Sequence, residues 1–454
     1  MELGVEIISR ENIKPSSPTP PHLRTYKISL LDQLIPSSYI ALIFYYRPAK
    51  INTRYMISAN SQHHLKQSLS QTLTRFYPLA GKIKDDRSID CNDSGALYVH
   101  AQIRHNLSTI LTLPDIFSLH HQFLPVDTIW KESSTHSSHV ALIQATFFSC
   151  GGIAIGICVS HKVADGVTLI SFAKAWAATA RRSAPVIHPT FNAPTLFPQN
   201  ESLTNSGHAV PRSKLLREGR SVWRRFEFTK DAVAALKARA GRALPSRVEA
   251  VSALVWKCAM NASKATQGSE RPSVMSHLVN LRARARPPLP EHSFGNFLWT
   301  ASARHVSGGG GTDQLADLVG EIREAMEKLN GEFVEKLGGE EGVRMVWEAV
   351  RESGEMFSRE GTDYLSCTSL CNSGVYEVDF GWGKPWWVGV GVSAGEVFMN
   401  LVFLLDTRRG DGGVEAWVLL GEREMCFFER DPLLLGFASF EPNSFLPPYS
   451  RSDL

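Results

Sequence analysis

Residues 139–182, HVALIQATFFSCGGIAIGICVSHKVADGVTLISFAKAWAATARR, carry the reading of the fold. Two apolar runs meet at Gly151 and Gly152, a pair that tolerates the positive φ of a tight hairpin, so residues 139–160 read as two β-strands. The second strand runs into His161. After Asp165 and Gly166, the residues Leu169, Phe172, Ala173, Trp176 and Ala180 recur at helical spacing, and Arg181 and Arg182 follow where cations suit a helix's carboxyl end. Strand, short turn and helix is the local grammar of an α/β protein, and the carboxyl end of a buried strand is where such sheets present side chains to ligands. A histidine there, with an unperturbed pKa of about 6.5, is largely neutral at pH 7 and able to take a proton. Gly166 supports a sharp turn that would expose the imidazole. A His-x-x-x-Asp spacing is weak by itself, however, since Asp165 can simply cap the helix and His161 can be a satisfied strand-end residue.

Outward from this stretch the alternation continues. SYIALIFYY at 38–46 reads as a buried strand, and HHLKQSLSQTLTRF at 63–76 as a helix with Leu65, Leu69, Leu73 and Phe76 on one face, ended by Tyr77 and Pro78. Residues 184–222 are rich in Pro, Ser, Asn and His without periodicity, which marks a crossover linker. WRRFEFTKDAVAALKARA at 223–240 reads as a strand and then a helix capped near Thr229, and PSRVEAVSALVWKCAMNAS as a helix starting near Ser246. SGGGG at 307–311 reads as a surface loop, long amphipathic helices run to about 358, and strand patterns such as EVFMNLVFLL at 396–405 return before a short helix around DPLLLGF. The expectation is α/β with mixed sheets in two domains: 1–195, a linker at 196–222, and 223–454, with part of 360–400 a candidate to pack on the first.

At 454 residues the chain is too long for one ordinary core. Apolar residues make up 43%, and 48 basic against 45 acidic side chains leave a formal charge of +3, so nucleic acid is not implied. No apolar run reaches the roughly 18–20 residues that span a bilayer, and the amino terminus lacks a signal-peptide pattern. A soluble, cytoplasmic protein without a membrane partner is expected. Seven cysteines, an odd number without a CxxC pair, read as reduced core residues, and no metal site is expected. The sequons at Asn92, Asn106, Asn200 and Asn261 are then expected to stay bare.

A second constellation is YEVDFGWGKPWW at 376–387, where Asp379, Gly381, Trp382 and Gly383 combine turn formers with a large aromatic and read as a structural loop that shapes a site. Together, SHKVADG at 160–166 and DFGWGKP at 379–385 resemble the BAHD family of plant acyl-CoA-dependent acyltransferases. YPLAGKI at 77–83, IDCNDSGALYVHA at 89–101, VNLRARARPPLPEHSFGN at 279–296 and FERDPLLLGFASF at 428–440 extend the resemblance over nearly the whole chain. The amino-terminal EIISRENIKPSSPTPPHLRTYKISLLDQL is most similar to the vinorine synthase-like branch of alkaloid and alcohol acetyltransferases.

The resemblance implies a two-domain chloramphenicol-acetyltransferase-like fold, mixed sheets flanked by helices, with a channel at the domain interface. It makes His161 the catalytic base, and Asp165 an aspartate turned away from substrate and paired with Arg282. Asp379 would be structural too, with Arg284, placed two residues along the same strand as Arg282, as its partner. Ser246 and Arg247 would hold CoA at a helix amino end, while Asn296 and Thr368 would line the channel as donors to the thioester oxygen or the acceptor. The sequence departs from the family at TSLCNS, 368–373, where Leu370 and Asn372 stand in place of the tryptophan and arginine of many members, which implies a smaller, more open pocket.

The activity so implied is transfer of an acyl group, acetyl above all, from acyl-CoA to a hydroxyl of a plant specialised metabolite: an alkaloid, a terpenoid or an alcohol. Acyl-CoA is a co-substrate and no cofactor is tightly bound; the enzyme would be a monomer. No activated Ser or Cys sits beside His161, since Cys158 lies back in the apolar strand, so transfer is direct within a ternary complex. An amine acceptor is the alternative, and a non-catalytic binding protein would be expected to lack His161. Gly391-Val-Ser393-Ala-Gly395 matches the G-x-S-x-G of serine hydrolases, but the last histidine is His305, upstream of the serine, where that triad needs one downstream.

Overall fold

The structure, a computed structural model, describes residues 3–35, 37–48, 59–113, 116–126, 139–183, 185–203, 216–241, 244–306, 314–359, 361–391 and 397–440. The Gly-rich segment at 307–311, Ser393 and residues 204–215 of the expected linker lie outside the described residues. Two six-stranded sheets dominate. In chain order their strands are Glu6–Ile13 (β1), Tyr39–Tyr46 (β2), Ala96–Ile103 (β3), Ala141–Phe148 (β4), Ile153–Ser160 (β5), Ser221–Phe228 (β6), Ser273–Asn280 (β7), Leu298–His305 (β8), Asp363–Ser369 (β9), Trp387–Val390 (β10), Leu401–Asp406 (β11) and Val414–Gly421 (β12). The helices that matter for the site are Leu30–Gln33 (α1), Ala59–Arg75 (α2), Gly166–Ala180 (α3), Lys230–Arg239 (α4) and Arg247–Gln267 (α5).

The first sheet runs β1-β3-β4-β5-β2-β10, with β3 and β4 parallel and the other pairs antiparallel. Its centre is apolar on both faces, and every residue of β5 is buried, as strands covered on two sides require. The hairpin between β4 and β5 turns at Gly151, whose φ of +86° sets the reversal. β10 comes from far along the chain and pairs with β2 from Trp387↔Tyr45 to Val390↔Leu42, so the first sheet is completed by the second half of the sequence.

The second sheet runs β6-β12-β11-β9-β7-β8, with β9 parallel to both of its neighbours. One face lies under α5, where Ser252 Oγ meets Cys367 Sγ at 3.7 Å over a buried row of His277, Cys367 and Val402. The other face carries the row Leu278, Thr368, Phe403, Trp417 and Arg225. From it Trp417, Leu419, Leu401, Leu405 and Trp223 join the core of the first sheet, so this face is the junction of the two halves.

Two local expectations change. EVFMNLVFLL is not one strand: Val397–Phe398 pairs with Arg217–Glu218 in a separate two-stranded ribbon, and β11 starts at Leu401. Arg282 and Arg284 are not on a strand, since β7 ends at Asn280 and they occupy the turn after it. No helix among the described residues is long and apolar enough to cross a membrane. The seven cysteines are free thiols, but Cys426 is exposed and so is not a core residue.

Candidate active site

His161 follows β5, and its backbone N–H donates to the Ser38 carbonyl at 2.7 Å, fixing the start of the loop against the end of the neighbouring chain segment. Its Nδ1 lies 3.0 Å from the Ala164 carbonyl and 3.1 Å from Asn296 Oδ1. A carbonyl only accepts, so Nδ1 carries the proton. The Asn296 amide is oriented by the same logic: its Nδ2 donates to Asp32 Oδ1 and to the His161 carbonyl, both at 2.8 Å, which leaves Oδ1 to face the imidazole. The ring is therefore held as the Nδ1–H tautomer, and among the described residues no partner occupies Nε2. Burial holds the imidazole below its ordinary value of 6.5, against the opposing pull of the Asp165 charge and of the bonds from Nδ1 to Ala164 and Asn296. A neutral imidazole with a free Nε2 lone pair is a base.

Asp165 points away from that lone pair. It caps α3 by accepting from the Thr168 N–H at 2.8 Å, and it takes a two-pronged pair from Arg282, 2.7 Å to Oδ2 and 3.1 Å to Oδ1, with the Phe297 N–H adding a bond at 3.1 Å. The pair is sealed from water, with 0% and 3% of the side chains exposed. Burial alone would raise the carboxyl, but the Arg282 charge and the N–H donors outweigh it and hold the group below the usual carboxylate value. Arg282 also donates to the Ser293 and Gly295 carbonyls, to Thr168 Oγ1 and to Asn280 Oδ1, and lies 4.4 Å over the Phe297 ring. One ion pair thus joins the loop after β5 to the turn after β7, across the two halves.

Asp379 is built differently. Oδ1 accepts from the Gly381 and Gly383 N–H groups at 2.7 and 2.9 Å, curling the loop on itself, and those glycines hold φ of +100° and +92°, where a side chain would be strained. Oδ2 meets Arg181 at 3.0 Å, not Arg284. Arg284 instead donates to the Met326 and Leu329 carbonyls, out of reach of this loop. Arg181 is the residue after α3, so the two motifs grip opposite ends of one helix. Phe380 packs edge-on to Trp176 of α3 at 4.8 Å and Trp382 edge-on to Tyr46 at 5.4 Å, while the Tyr46 hydroxyl donates to the Val378 carbonyl. On the other side, Tyr376 donates to Glu415, itself paired with Arg225, which fastens the loop to the second sheet.

Other expected residues land less simply. Gly166 has no positive φ; an added Cβ would come within 2.6 Å of Leu370 Cδ2, the end of a side chain that would have to shift. Leu370 is buried in that contact, filling the space at the mouth of the helix. Asn296 cannot serve as a donor to substrate, because both its amide hydrogens are taken and it is buried; it holds His161 instead. Thr368 is half-buried on the junction face of the second sheet. Ser246 caps α5 in a reciprocal pair with Glu249, and Arg247 is paired with Asp406 and Asn372. Among the described residues the backbone N–H groups of Arg247 and Val248 have no partner. No group of three or more His, Cys, Asp or Glu residues that could hold a metal occurs among the described residues.

Sequence reading missed Asp32. Its carboxylate accepts from the Asn296 N–H and Nδ2, both at 2.8 Å, and from Ser29 N and Oγ at 2.8 and 2.7 Å; burial raises its pKa despite these bonds. The signal was present in Ser29-x-x-Asp32, a capping-box spacing.

A family model described as the Transferase family matches residues 3–435. An epi-neemfruitin B 7-O-acetyltransferase of Melia azedarach is 42% identical, covering 96% of this chain and 99% of that protein. A limonoid 7-O-acetyltransferase of Citrus sinensis is also 42% identical, over 96% of this chain and 98% of its own length. The crystal structure of vinorine synthase superposes with a TM-score of 0.80 at 34% identity, covering 97% of this chain and all of that one.

Proposed function

Because this chain belongs to the Transferase family, the BAHD acyl-CoA-dependent acyltransferases of plants, we propose that it moves an acetyl group from acetyl-CoA to a hydroxyl of a specialised metabolite of the terpenoid or alkaloid kind. It is an acyl-CoA-dependent O-acyltransferase. The terpenoid acceptor is favoured by the limonoid O-acetyltransferases at 42% identity. The observation that carries the mechanism is the imidazole held with its proton on Nδ1 and Nε2 free.

In that state Nε2 accepts the acceptor's hydroxyl proton as the oxygen attacks the thioester carbon. A base placed there contributes roughly a hundred- to ten-thousand-fold, and holding both substrates together supplies the larger proximity effect. The imidazolium that forms is steadied at Nδ1–H by the Ala164 carbonyl and Asn296 Oδ1, the latter made more negative by Asp32 on the same amide. As the tetrahedral intermediate collapses, the carbon–sulfur bond breaks, the proton on Nε2 passes to the departing CoA thiolate, and ester and free thiol leave. Asp165 takes no proton; with Arg282 it holds the loop.

For CoA, the amino end of α5 is the proposed anchor, its N–H groups at Arg247 and Val248 meeting phosphate while Arg247 is steadied by Asp406. Thr368, on the junction face, is the proposed channel residue. We read two domains, 1–195 and 223–454, joined by 196–222, with β10 built into the first sheet, and a cytoplasmic monomer as the working form. The test incubates purified protein with acetyl-CoA and a panel of terpenoid and alkaloid alcohols and amines while following free thiol. Acceptor-dependent thiol release that is abolished by His161→Ala supports the reading; full activity in that variant overturns it.

A further inference from the structure

Lys162, the residue after His161, is 1% exposed, a state that lysine almost never adopts without partners. Its Nζ donates to the Gln33 carbonyl at 3.3 Å and the Ile35 carbonyl at 3.1 Å. These carbonyls lie at the carboxyl end of α1, where a helix leaves its last C=O groups without internal partners. Three residues earlier than Ile35 on the same turn, Asp32 grips Asn296. The turn is thus fastened to the active-site region from two directions, by Lys162 on its backbone and by Asp32 on the amide that faces the imidazole.

We propose that Lys162 is a positioning residue for His161: by holding the Gln33 and Ile35 carbonyls it keeps Asp32 against Asn296, and so keeps Asn296 Oδ1 on the ring's Nδ1–H beside the Ala164 carbonyl. The proposal rests on His161 being the base. It assigns Lys162 no contact with substrate. The charged groups near this site are Asp165, matched by Arg282, Asp32 on the short turn, and Lys162, whose Nζ reaches the carbonyls at the turn's end from the loop that carries His161. The turn has other supports. Gln33 bonds to Asn200 through both ends of its amide, and Ser29 and Asp32 form a reciprocal cap. Removing the lysine donor therefore loosens the turn without dissolving it.

The test compares Lys162→Met, similar in length but without a donor, with the parent protein by ¹⁵N NMR of histidine-labelled samples, the His161 signals assigned by difference from His161→Ala. The parent is expected to show one neutral tautomer protonated at Nδ1. Lys162→Met is expected to keep that tautomer, held by the Ala164 carbonyl, but with the Nδ1 signal moved by loss of the Asn296 bond, together with a kcat lowered about tenfold to a hundredfold and a KM for acetyl-CoA unchanged within about twofold, because α5 is untouched. A folded Lys162→Met with the parental Nδ1 signal and kcat overturns the proposal. If that variant does not accumulate, Lys162→Gln, whose donor is too short to span the gap, is read by the same two outcomes. The Nδ1 signal needs no turnover to be measured, so its failure is distinct from failure of the assigned reaction, which His161→Ala reports.

Discussion

The two ends of α3 are held by the two motifs, and they differ in kind. At the amino end Asp165 and Arg282 form a pair closed to water, 0% and 3% exposed, with further bonds to backbone groups and to the Thr168 and Asn280 side chains. At the carboxyl end Asp379 and Arg181 meet at the surface, 22% and 35% exposed, and the aspartate's stronger bonds go to its own loop. Both read as Asp–Arg pairs. Only the first stakes the fold on the pair, since a buried charge that loses its partner is left in a medium that cannot solvate it, whereas water replaces most of what a surface pair provides.

The largest effect is expected from breaking the buried pair on one side. Asp165→Ala should destabilise the chain by about 3–5 kcal/mol in urea unfolding and remove activity, because Arg282 is left without its counter-charge. Asp165→Asn should also lose activity through disorder of the loop; an inactive variant with unchanged stability would mean that Asp165 takes part in the chemistry directly. A double-mutant cycle over Asp165→Asn and Arg282→Met should give a coupling energy several times that over Asp379→Asn and Arg181→Met. Equal couplings would break the comparison. Next, Asp379→Ala should cost roughly 1–2 kcal/mol, the loss of two N–H bonds in the turn, with activity reduced through the loop. Arg181→Ala should cost under about 1 kcal/mol.

Acid sharpens the same contrast. The Asp165 carboxyl is held below its unfolded value, so its stabilisation is present above that value and is lost as pH falls through the folded one. Parent protein should lose stability steeply in that range, and Asp165→Asn should lack that part of the slope. For activity, His161 must be neutral to accept a proton, and burial lowers its pKa. The acid limb of the kcat/KM profile should therefore fall below pH 6.5, the ordinary value for histidine. A limb above it would place the charge of Asp165 or Asp32 ahead of burial.

Local features were readable from sequence where the physics is local. The hairpin at Gly151, the helix from Gly166 and the caps at Thr229 and Ser246 follow from spacing and turn chemistry. The partners of the site were harder, because they are chosen by tertiary packing. Asp32 and Asn296 meet across 264 residues, and no periodicity links them. Asp379 found Arg181, 198 positions earlier, over the expected Arg284. Arg282 was legible only through a family motif, and Gly166 was read as a turn glycine although it has no positive φ and sits against the Leu370 side chain. Asn296 was placed in the channel although its hydrogens were already committed, which becomes visible only once its partners are known.

The strand exchange in the first sheet has a consequence for biosynthesis. On a ribosome adding about 5–20 residues per second, β2 emerges and pairs with β5, then waits on the order of half a minute for β10 to be translated and cover its other edge. During that interval the apolar run Tyr39–Tyr46 presents an unpaired row of backbone groups, a template for pairing with another nascent chain. A chaperone that shields that edge until β10 arrives should therefore raise the yield of active enzyme.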